Sequence, residues 1–463
     1  MPEPQAAPAG TRSLGGVEEL QRLNMPALLA VLLGVFLGTL DIAIANTALP
    51  VIAASLGCDE SSSIWIINAF QLAVVATLLP FAALADAVGP RKIFIFGLAF
   101  FTAASLGCVL ADTLAGLAVF RALQGIGAGA IMSVNIALIR LIYPSHRLGR
   151  GVGLNALVVG VGFAIGPTVA SLVLSLASWP WLFGVNVPLG ALAVLFALQH
   201  LPGRDASGQP FDKAAAALAA LAFGALVFAL IEIGQQARWP VVLGAGALFL
   251  LAGAVLLARQ RGHATPIFPL DLLRRPMFAL SALTAFAAFA AQGLAFVSLP
   301  FFFQSQLHRS VVETGFLMTA WPVLVALAAP LAGRLSDRHH PGLLGGVGLG
   351  VLCAGTLLLA RLAADASVWQ ISACMGLCGA GFGFFQSPNL RALMTSAPAH
   401  RSGGASGMIG MVRLIGQTSG AALVALCFGV QGLAGAMLAL YLAALFALLG
   451  ATASFSRLRA PLV

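Results

Sequence analysis

Residues 26–50 read PALLAVLLGVFLGTLDIAIANTALP, an apolar run interrupted by a single acid, Asp41. An α-helix rises about 1.5 Å per residue, so a run of this length crosses the roughly 30 Å of hydrocarbon in a bilayer. A charged side chain placed in that hydrocarbon costs at least about 2.5–3.5 kcal/mol and is usually kept for a function. The run therefore predicts a membrane helix that carries a functional carboxylate.

The rest of the chain repeats this pattern. Of its 463 residues 60% are hydrophobic and only 8% are charged, whereas about 25% are charged in an average soluble protein. The net charge of +9 comes from basic residues set singly or in pairs between apolar runs, which argues against a nucleic-acid surface. No phosphate-binding GxxxxGK[ST] motif, catalytic cluster or metal-ligand set is present, so an ATP-driven pump, an enzyme and a metalloprotein are not expected.

Fourteen apolar spans can be placed between residues 26 and 455, and the basic residues fix their orientation. With fourteen spans, 19 of the 24 lysines and arginines fall on one side, together with both termini. Arg238, Arg309 and Arg361 fall on the other side, and Arg121 and Arg413 lie within spans. Since basic loops stay in the cytoplasm, the pattern predicts cytoplasmic termini and a multi-pass protein of the bacterial inner membrane.

A weak internal repeat indicates two halves. Leu84-Ala85-Asp86 ends the second span and Leu335-Ser336-Asp337 ends the tenth, each a few residues after a proline. Parallel repeats of this kind build two-lobed transporters. We therefore predict an all-α fold of two six-helix bundles with two inserted helices. The expected segments are a tail over 1–24, bundles over 25–200 and 276–456, the inserted pair with its linkers over 201–275, and a tail over 457–463.

Six motifs carry a family resemblance. They are Leu40–Pro50, Arg121–Ala128, Gly162–Pro167, Trp181–Gly190, Phe211-Asp212 and Arg413–Gly416. Together and in this order they resemble the major facilitator superfamily, specifically its fourteen-helix drug:H+ antiporter branch. The resemblance implies alternating access between two bundles, with energy from a proton gradient and no cofactor.

The chain departs from this pattern in two places. The loop motif after the second span has Ala82, Ala87 and Pro90 at positions where the family usually carries glycine or basic residues. The antiporter motif of the fifth span closes with Ala170-Ser171 in place of a glycine pair. These small residues still allow close helix packing.

Depth along the helices brings Asp41 and Arg121 to the same level. Asp41 lies about 22 Å along the first span, and Arg121 lies about 10 Å below the outer end of the fourth span, which runs the other way. We expect the two to pair and Asp41 to take up the transported proton, which would weaken the pair. The alternative is a structural ion pair with no part in coupling.

Polar residues at membrane depth are candidates for the substrate cavity. Each could equally make a hydrogen bond between helices. They are Asn46, Asn68, Gln71, Gln124 and Asn135.

Gating residues are expected in three groups. Gly162, Gly166 and Pro167 should let the fifth span approach the opposite half and bend there. The cytoplasmic loops contribute Asp86, Gly89, Arg91, Lys92 and Asp337, and Arg413 lies inside the thirteenth span, at the cytoplasmic mouth or reaching toward lipid headgroups.

The function that these features favour is proton-coupled export of small amphipathic or toxic compounds. Its expected partners are a small-molecule substrate, protons and membrane lipid, with the chain acting as a monomer and a periplasmic adaptor left open. Two alternatives remain. One is an exporter of a specific metabolite such as a siderophore, sugar or organic acid, and the other is a non-transporting receptor or assembly factor that keeps the fold.

Overall fold

A computed structural model describes residues 24–143, 148–203, 211–234, 239–260, 270–336, 338–396 and 402–459. Within those ranges the chain is helical, and its loops are short. The helices are α1 Met25–Leu56, α2 Glu60–Ser63, α3 Trp65–Val88, α4 Pro90–Val109, α5 Leu114–Ile142, α6 Leu148–Leu176, α7 Trp181–Gly184, α8 Asn186–His200, α9 Lys213–Gly234, α10 Trp239–Arg259, α11 Leu270–Leu273, α12 Pro276–Phe301, α13 Val311–Leu335, α14 Pro341–Ala360, α15 Val368–Ser396, α16 Ser402–Gln431 and α17 Gly435–Ser456.

Thirteen helical stretches among the described residues are long and apolar enough to cross a membrane. The last of them, Gly407–Arg459, contains most of α16 and all of α17, which a short 3-10 turn at Gly432–Ala434 separates. The chain is therefore a polytopic α-helical membrane protein.

Helix α1 shows how local sequence sets the element bounds. At its start the Asn24 side chain accepts a hydrogen bond from the Ala27 amide, 3.1 Å away, and Pro26 occupies the first turn, where its missing N–H is not needed. At its end Gly57 takes a positive φ of 63°, and its amide returns to the carbonyls of the last turn, a conformation that glycine adopts without steric cost. The helix thus holds Asp41 at mid-length.

The two halves pack their helices in the same pairings. In the first half α6 and α8 pack on α1, and α5 packs on α3 and α4; in the second half α16 and α17 pack on α12, and α15 packs on α13 and α14. The inserted helix α9 packs on α10 and also on one helix from each half, α3 and α16. The repeat suggested by the two Leu-small-Asp stretches thus corresponds to two bundles of equivalent helix pairings.

A Gly-x-Gly-x-Gly run recurs at the centre of each half. It occupies 125–129 in α5 and 379–383 in α15. Added to Gly127, a Cβ would lie 2.6 Å from the Phe101 amide nitrogen; added to Gly381, it would lie 2.6 Å from that of Leu352. Only glycine permits backbones this close, so both halves use the same crossing.

Asp212 joins the inserted pair at the end where α9 begins and α10 finishes. Its carboxylate accepts from the Ala214 and Ala215 amides at the start of α9, and Arg259 at the end of α10 donates to it at 3.0 Å. The bonds from Arg259 and from the helix amides hold the pKa of Asp212 below its ordinary value. An exposed ion pair thus ties the two inserted helices together.

The two halves share a contact region near one end of the bundle, which we call the outer end after the predicted topology. It carries the α1–α2 and α4–α5 connections. The largest apolar cluster there combines Ile44 of the first half with Leu294 and Val424 of the second. Hydrogen bonds also cross between the halves: Ser61 to the Ala425 carbonyl, Thr418 to Gln71, Ser171 to the Val311 carbonyl, and Thr168 with Thr319. These contacts join the two halves at the outer end.

The glycine crossing of the second half can be tested by Gly348→Ala in α14. The added Cβ would lie 2.7 Å from the Gly381 carbonyl oxygen and 2.7 Å from the Phe385 amide nitrogen, both backbone atoms. We expect the overlap to lower the free energy of unfolding by about 1–3 kcal/mol, measured as a lower thermal unfolding midpoint of the purified protein in detergent.

Gly350→Ala is the matched control, two residues away in the same helix. A Cβ at Gly350 meets nothing within 4 Å, so this variant should be as stable as the parent or slightly more stable, because alanine favours a helix. Equal stability of the two variants would contradict the crossing.

Candidate functional site

The candidate site surrounds Asp41, where six helices of the first half meet. The side chain is 1% exposed, and so is that of Arg121 on α5. Arg121 Nη1 donates to Asp41 Oδ2 at 2.5 Å, which makes a fully buried ion pair. The pairing predicted from depth is present; its role in proton coupling stays a prediction.

Arg121 is fixed by contacts on all sides of its guanidinium. Its Nε donates to the Ile66 carbonyl at 3.0 Å, and its Nη1 also donates to Gln124 Oε1 at 2.5 Å. The Phe70 ring lies 4.4 Å from the guanidinium carbon, and the Phe183 ring lies 5.5 Å from it. Aromatic faces stabilise a cation most where water is excluded, so the site holds the positive charge without solvent.

Asp41 accepts from two neutral amides as well as from Arg121. Gln124 Nε2 donates to its Oδ1 at 2.8 Å, and Asn186 Nδ2 donates to the same oxygen at 2.7 Å. Gln124 Nε2 also donates to Ser105 on α4 at 2.9 Å. A buried carboxylate needs several such donors to remain charged, and this one has three.

Sequence reasoning named Gln124 for the cavity and missed Asn186 and Ser105. Gln124 lies inside the charge network. Asn186, 0% exposed at the first residue of α8, stands in the motif Trp181–Gly190, so its presence in a family motif was the available signal. Ser105 lies in an otherwise ordinary apolar span, and nothing in the sequence marks it.

The other cavity candidates divide into two kinds. Asn135 donates to Asn155 on α6 at 2.9 Å, and Gln71 accepts from Thr418 of the opposite half at 2.7 Å. Asn68 and Asn46 are buried; both amide atoms of Asn68 and the Asn46 Oδ1 have no hydrogen-bond partner among the described residues. The first two join helices, and the last two are polar groups with unused hydrogen-bonding capacity.

The glycines of the antiporter motif do not contact the opposite half, which corrects the expectation for Gly162 and Gly166. A Cβ added to Gly162 would clash with Thr39, and one added to Gly166 would clash with Ala43; both are residues of α1 in the same half. The reason is geometric, because positions four apart share one helix face, and that face of α6 lies on α1.

The contact with the opposite half is made slightly further along α6, by Pro167 and Ser171. A Cβ added to Gly315 of α13 would meet the Ser171 side chain and lie 2.5 Å from the Pro167 carbonyl oxygen. Ser171 donates to the Val311 carbonyl at 3.0 Å. Pro167 and the departure at Ser171, and not the glycines, therefore make the joint between halves.

The loop motif after α3 is partly described. Gly89 has a φ of 94°, which side-chain-bearing residues rarely adopt, and this bend separates α3 from α4. Arg91 Nη2 donates to the Leu198 carbonyl near the end of α8 at 2.6 Å. Arg91 thus ties α4 to α8.

The remaining gating candidates lie in different settings. Asp86 near the end of α3 and Lys92 at the start of α4 are exposed, and Asp337 lies outside the described residues. Arg413 is partly buried in α16, with its guanidinium carbon 5.7 Å from the Phe289 ring centroid and its Nε without a hydrogen-bond partner among the described residues.

Two bundles of membrane-spanning helices with equivalent packing, and a buried ion pair in the first of them, define a transporter of the two-lobed class. The chain belongs to the Major Facilitator Superfamily: the model of that family matches residues 31–421 and 281–460.

Relatives across the length of the chain agree. An uncharacterized transporter of Escherichia coli K12, YebQ, is 48% identical over 94% of this chain and 96% of its own length. The multidrug resistance protein Stp of Mycobacterium tuberculosis is 31% identical over 88% of this chain and 76% of its own. The riboflavin transporter RibZ of Clostridioides difficile is 28% identical over 83% and 84%. The chain therefore resembles transporters that include a multidrug-like branch.

Solved structures support the fold. A peptide transporter, POT, in complex with sulfate superposes with a TM-score of 0.71 at 16% identity, covering 94% of each chain. A bacterial homolog of the human lysosomal transporter Spinster, inward-facing and unoccupied, gives 0.68 at 16% identity over 95% of this chain and 98% of its own.

A double-mutant cycle on Asp41→Asn and Arg121→Gln tests the energetics of the site. Each single change leaves an uncompensated charge or an unmatched polar group in the interior, and the double change removes both charges. We expect the losses in unfolding free energy to be non-additive, with a coupling on the order of 1–3 kcal/mol, measured from unfolding of the four purified proteins in detergent.

The exposed pair Asp212–Arg259 is the matched control. Its side chains are 35% and 50% exposed, so water and salt screen the attraction. The same cycle with Asp212→Asn and Arg259→Gln should give no measurable coupling at physiological salt. Additive losses at Asp41 and Arg121 would mean that the buried pair is not energetically coupled.

Proposed function

We propose that this chain is a proton-coupled secondary exporter of small amphipathic or toxic compounds in the bacterial inner membrane, working by alternating access. The observation that carries this is the buried ion pair of Asp41 and Arg121. A buried carboxylate with one cationic partner is a group whose protonation state changes the local charge balance. The relative named as a multidrug resistance protein supports export as the direction.

The equivalent helix of the second half argues against a purely structural pair. The glycine runs align α5 with α15, and Arg121 and Gln124 then correspond to Met375 and Cys378, both fully buried. The same helix crossing therefore packs without a charge. Since charges in a membrane interior are costly, retaining them in only one half favours a function for them.

We further propose that α16 and α17 each cross the membrane, which gives fourteen spans and cytoplasmic termini. A reporter enzyme that is active only in the periplasm should be active when it is fused after Leu433, in the turn between the two helices. The same reporter fused after Arg459 should be inactive. The opposite pattern would refute the proposed orientation.

A second candidate cargo is a single metabolite, favoured by the relative named as a riboflavin transporter. A panel of flavins, siderophores, sugars, organic acids and amphipathic drugs, offered to the protein in vesicles with an imposed pH gradient, separates the two. Transport of several unrelated amphipathic compounds supports the first proposal, and transport confined to one chemical class supports the second.

Asp41→Asn tests the coupling role directly. The amide keeps the size of the carboxyl group but takes up no proton, so substrate-induced proton release by the purified protein should fall at least about tenfold, to background. The measurement is the pH change of a weakly buffered detergent solution on addition of a compound that the parent transports.

Asp212→Asn, which removes an exposed acid outside the spans, should release protons as the parent does. If Asp41→Asn released them equally well, the coupling role of Asp41 would be wrong.

A further inference from the structure

Asn186 has an amide of which only one end is used. Its Nδ2 donates to Asp41 Oδ1 at 2.7 Å, whereas its Oδ1 is buried and has no hydrogen-bond partner among the described residues. A buried carbonyl oxygen normally finds a donor. An unused acceptor on the amide that binds Asp41 therefore needs a reason.

Gln124, the other neutral donor to Asp41, has no such freedom. Its Oε1 accepts from Arg121, and its Nε2 donates both to Asp41 and to Ser105. Rotating that amide by half a turn would put a nitrogen against the guanidinium and an oxygen against the carboxylate, so several bonds would be lost. Gln124 is therefore fixed in one orientation, and Asn186 is not.

The charged and titratable groups that face Asp41 are few. Among the described residues packed around it they are Arg121 of α5 and the thiol of Cys108 of α4, whose Sγ lies 3.8 Å from Gln124 Oε1. The groups from α3, α7 and α8 are the Ile66 carbonyl, the Phe70 and Phe183 rings and the Asn186 amide. When Asp41 carries a proton, its new O–H needs an acceptor, and of the three side chains that donate to Asp41 only Asn186 has an oxygen without a hydrogen-bond partner among the described residues.

We propose that Asn186 is a positioning residue for both protonation states of Asp41, donating to the carboxylate and, after a half-turn of its amide, accepting from the carboxylic acid. The proposal rests on the proposed titration of Asp41.

The step conserves atoms and charge. A hydronium ion transfers its proton to Asp41 Oδ1 and leaves as water, while the hydrogen bond from Asn186 Nδ2 to that oxygen breaks. The Asn186 amide rotates about its Cβ–Cγ bond, and its Oδ1 accepts from the new O–H; Arg121 remains on Oδ2.

The rotation replaces one hydrogen bond between Asn186 and Asp41 by another. An asparagine amide has nearly the same shape in both orientations, and the Oδ1 that now points away from Asp41 gives up no hydrogen bond to a described residue when the amide rotates. The protonated acid is therefore held where the carboxylate was, with its O–H satisfied.

Infrared difference spectra of the purified protein, recorded between high and low pH, test this. The chain has seven asparagines, so asparagine labelled isotopically at its side-chain carbonyl gives a resolvable amide band. On acidification we expect a protonated-carboxyl band that is lost in Asp41→Asn. Together with it, one labelled amide carbonyl should shift to lower wavenumber, because its oxygen has gained a hydrogen bond.

The shift of the labelled amide carbonyl should be lost in Asp41→Asn. It should also be lost when Asn186 is replaced by leucine or by serine, and one of these two variants is enough if it folds. It should persist in Asn46→Leu, which removes a buried asparagine of α1 whose Oδ1 is also without a partner. An Asp41 carboxyl band without the amide shift, or a shift that survives at Asn186→Leu or Asn186→Ser, would overturn the role of Asn186. Absence of any Asp41-dependent carboxyl band would instead overturn the titration of Asp41, and with it this inference.

Discussion

The contact between Asp41 and Arg121 is the constraint on which the first half of the molecule depends. Two opposite charges without water are stable only in contact, with their remaining hydrogen-bonding capacity satisfied by the protein. The α3 carbonyl of Ile66, the α5 amide of Gln124 and the α8 amide of Asn186 supply those bonds. Helices separated by up to 145 residues in the chain are therefore held at one point, and the bundle is built around it.

The contacts between the halves are of a different kind. Thr418 with Gln71, Thr168 with Thr319, and Ser171 with a main-chain carbonyl are neutral hydrogen bonds. Water can replace each of them at small cost, whereas nothing in a membrane interior replaces the partner of a buried charge. A buried charge pair within one half and neutral hydrogen bonds between the halves suit two rigid bundles that separate from one another.

Much of the fold and of the candidate site follows from the sequence, and the parts that do not follow have physical reasons. Apolar length predicts the spans, and helical rise brings Asp41 level with Arg121, because both depend on local geometry. The partner of Gly162 is not local: a missing side chain indicates a close approach but not which helix approaches. Asn186 was overlooked for a related reason, since its position at the start of a helix places it near the membrane surface, and only packing brings it to Asp41.

The hydrogen bonds around Asp41 also keep a substrate away from the proposed proton site. In this state Asp41 accepts from one guanidinium and two amides, so a substrate could reach it only by displacing a donor. The second half differs at the equivalent place: its counterparts of Arg121 and Gln124 are the uncharged Met375 and Cys378, and Phe289, Phe382 and Phe385 pack edge to face in its core, with ring centroids 5.5–6.3 Å apart. If the proposed export is correct, coupling must then act through movement of the helices around Asp41 and not through direct competition for its carboxylate.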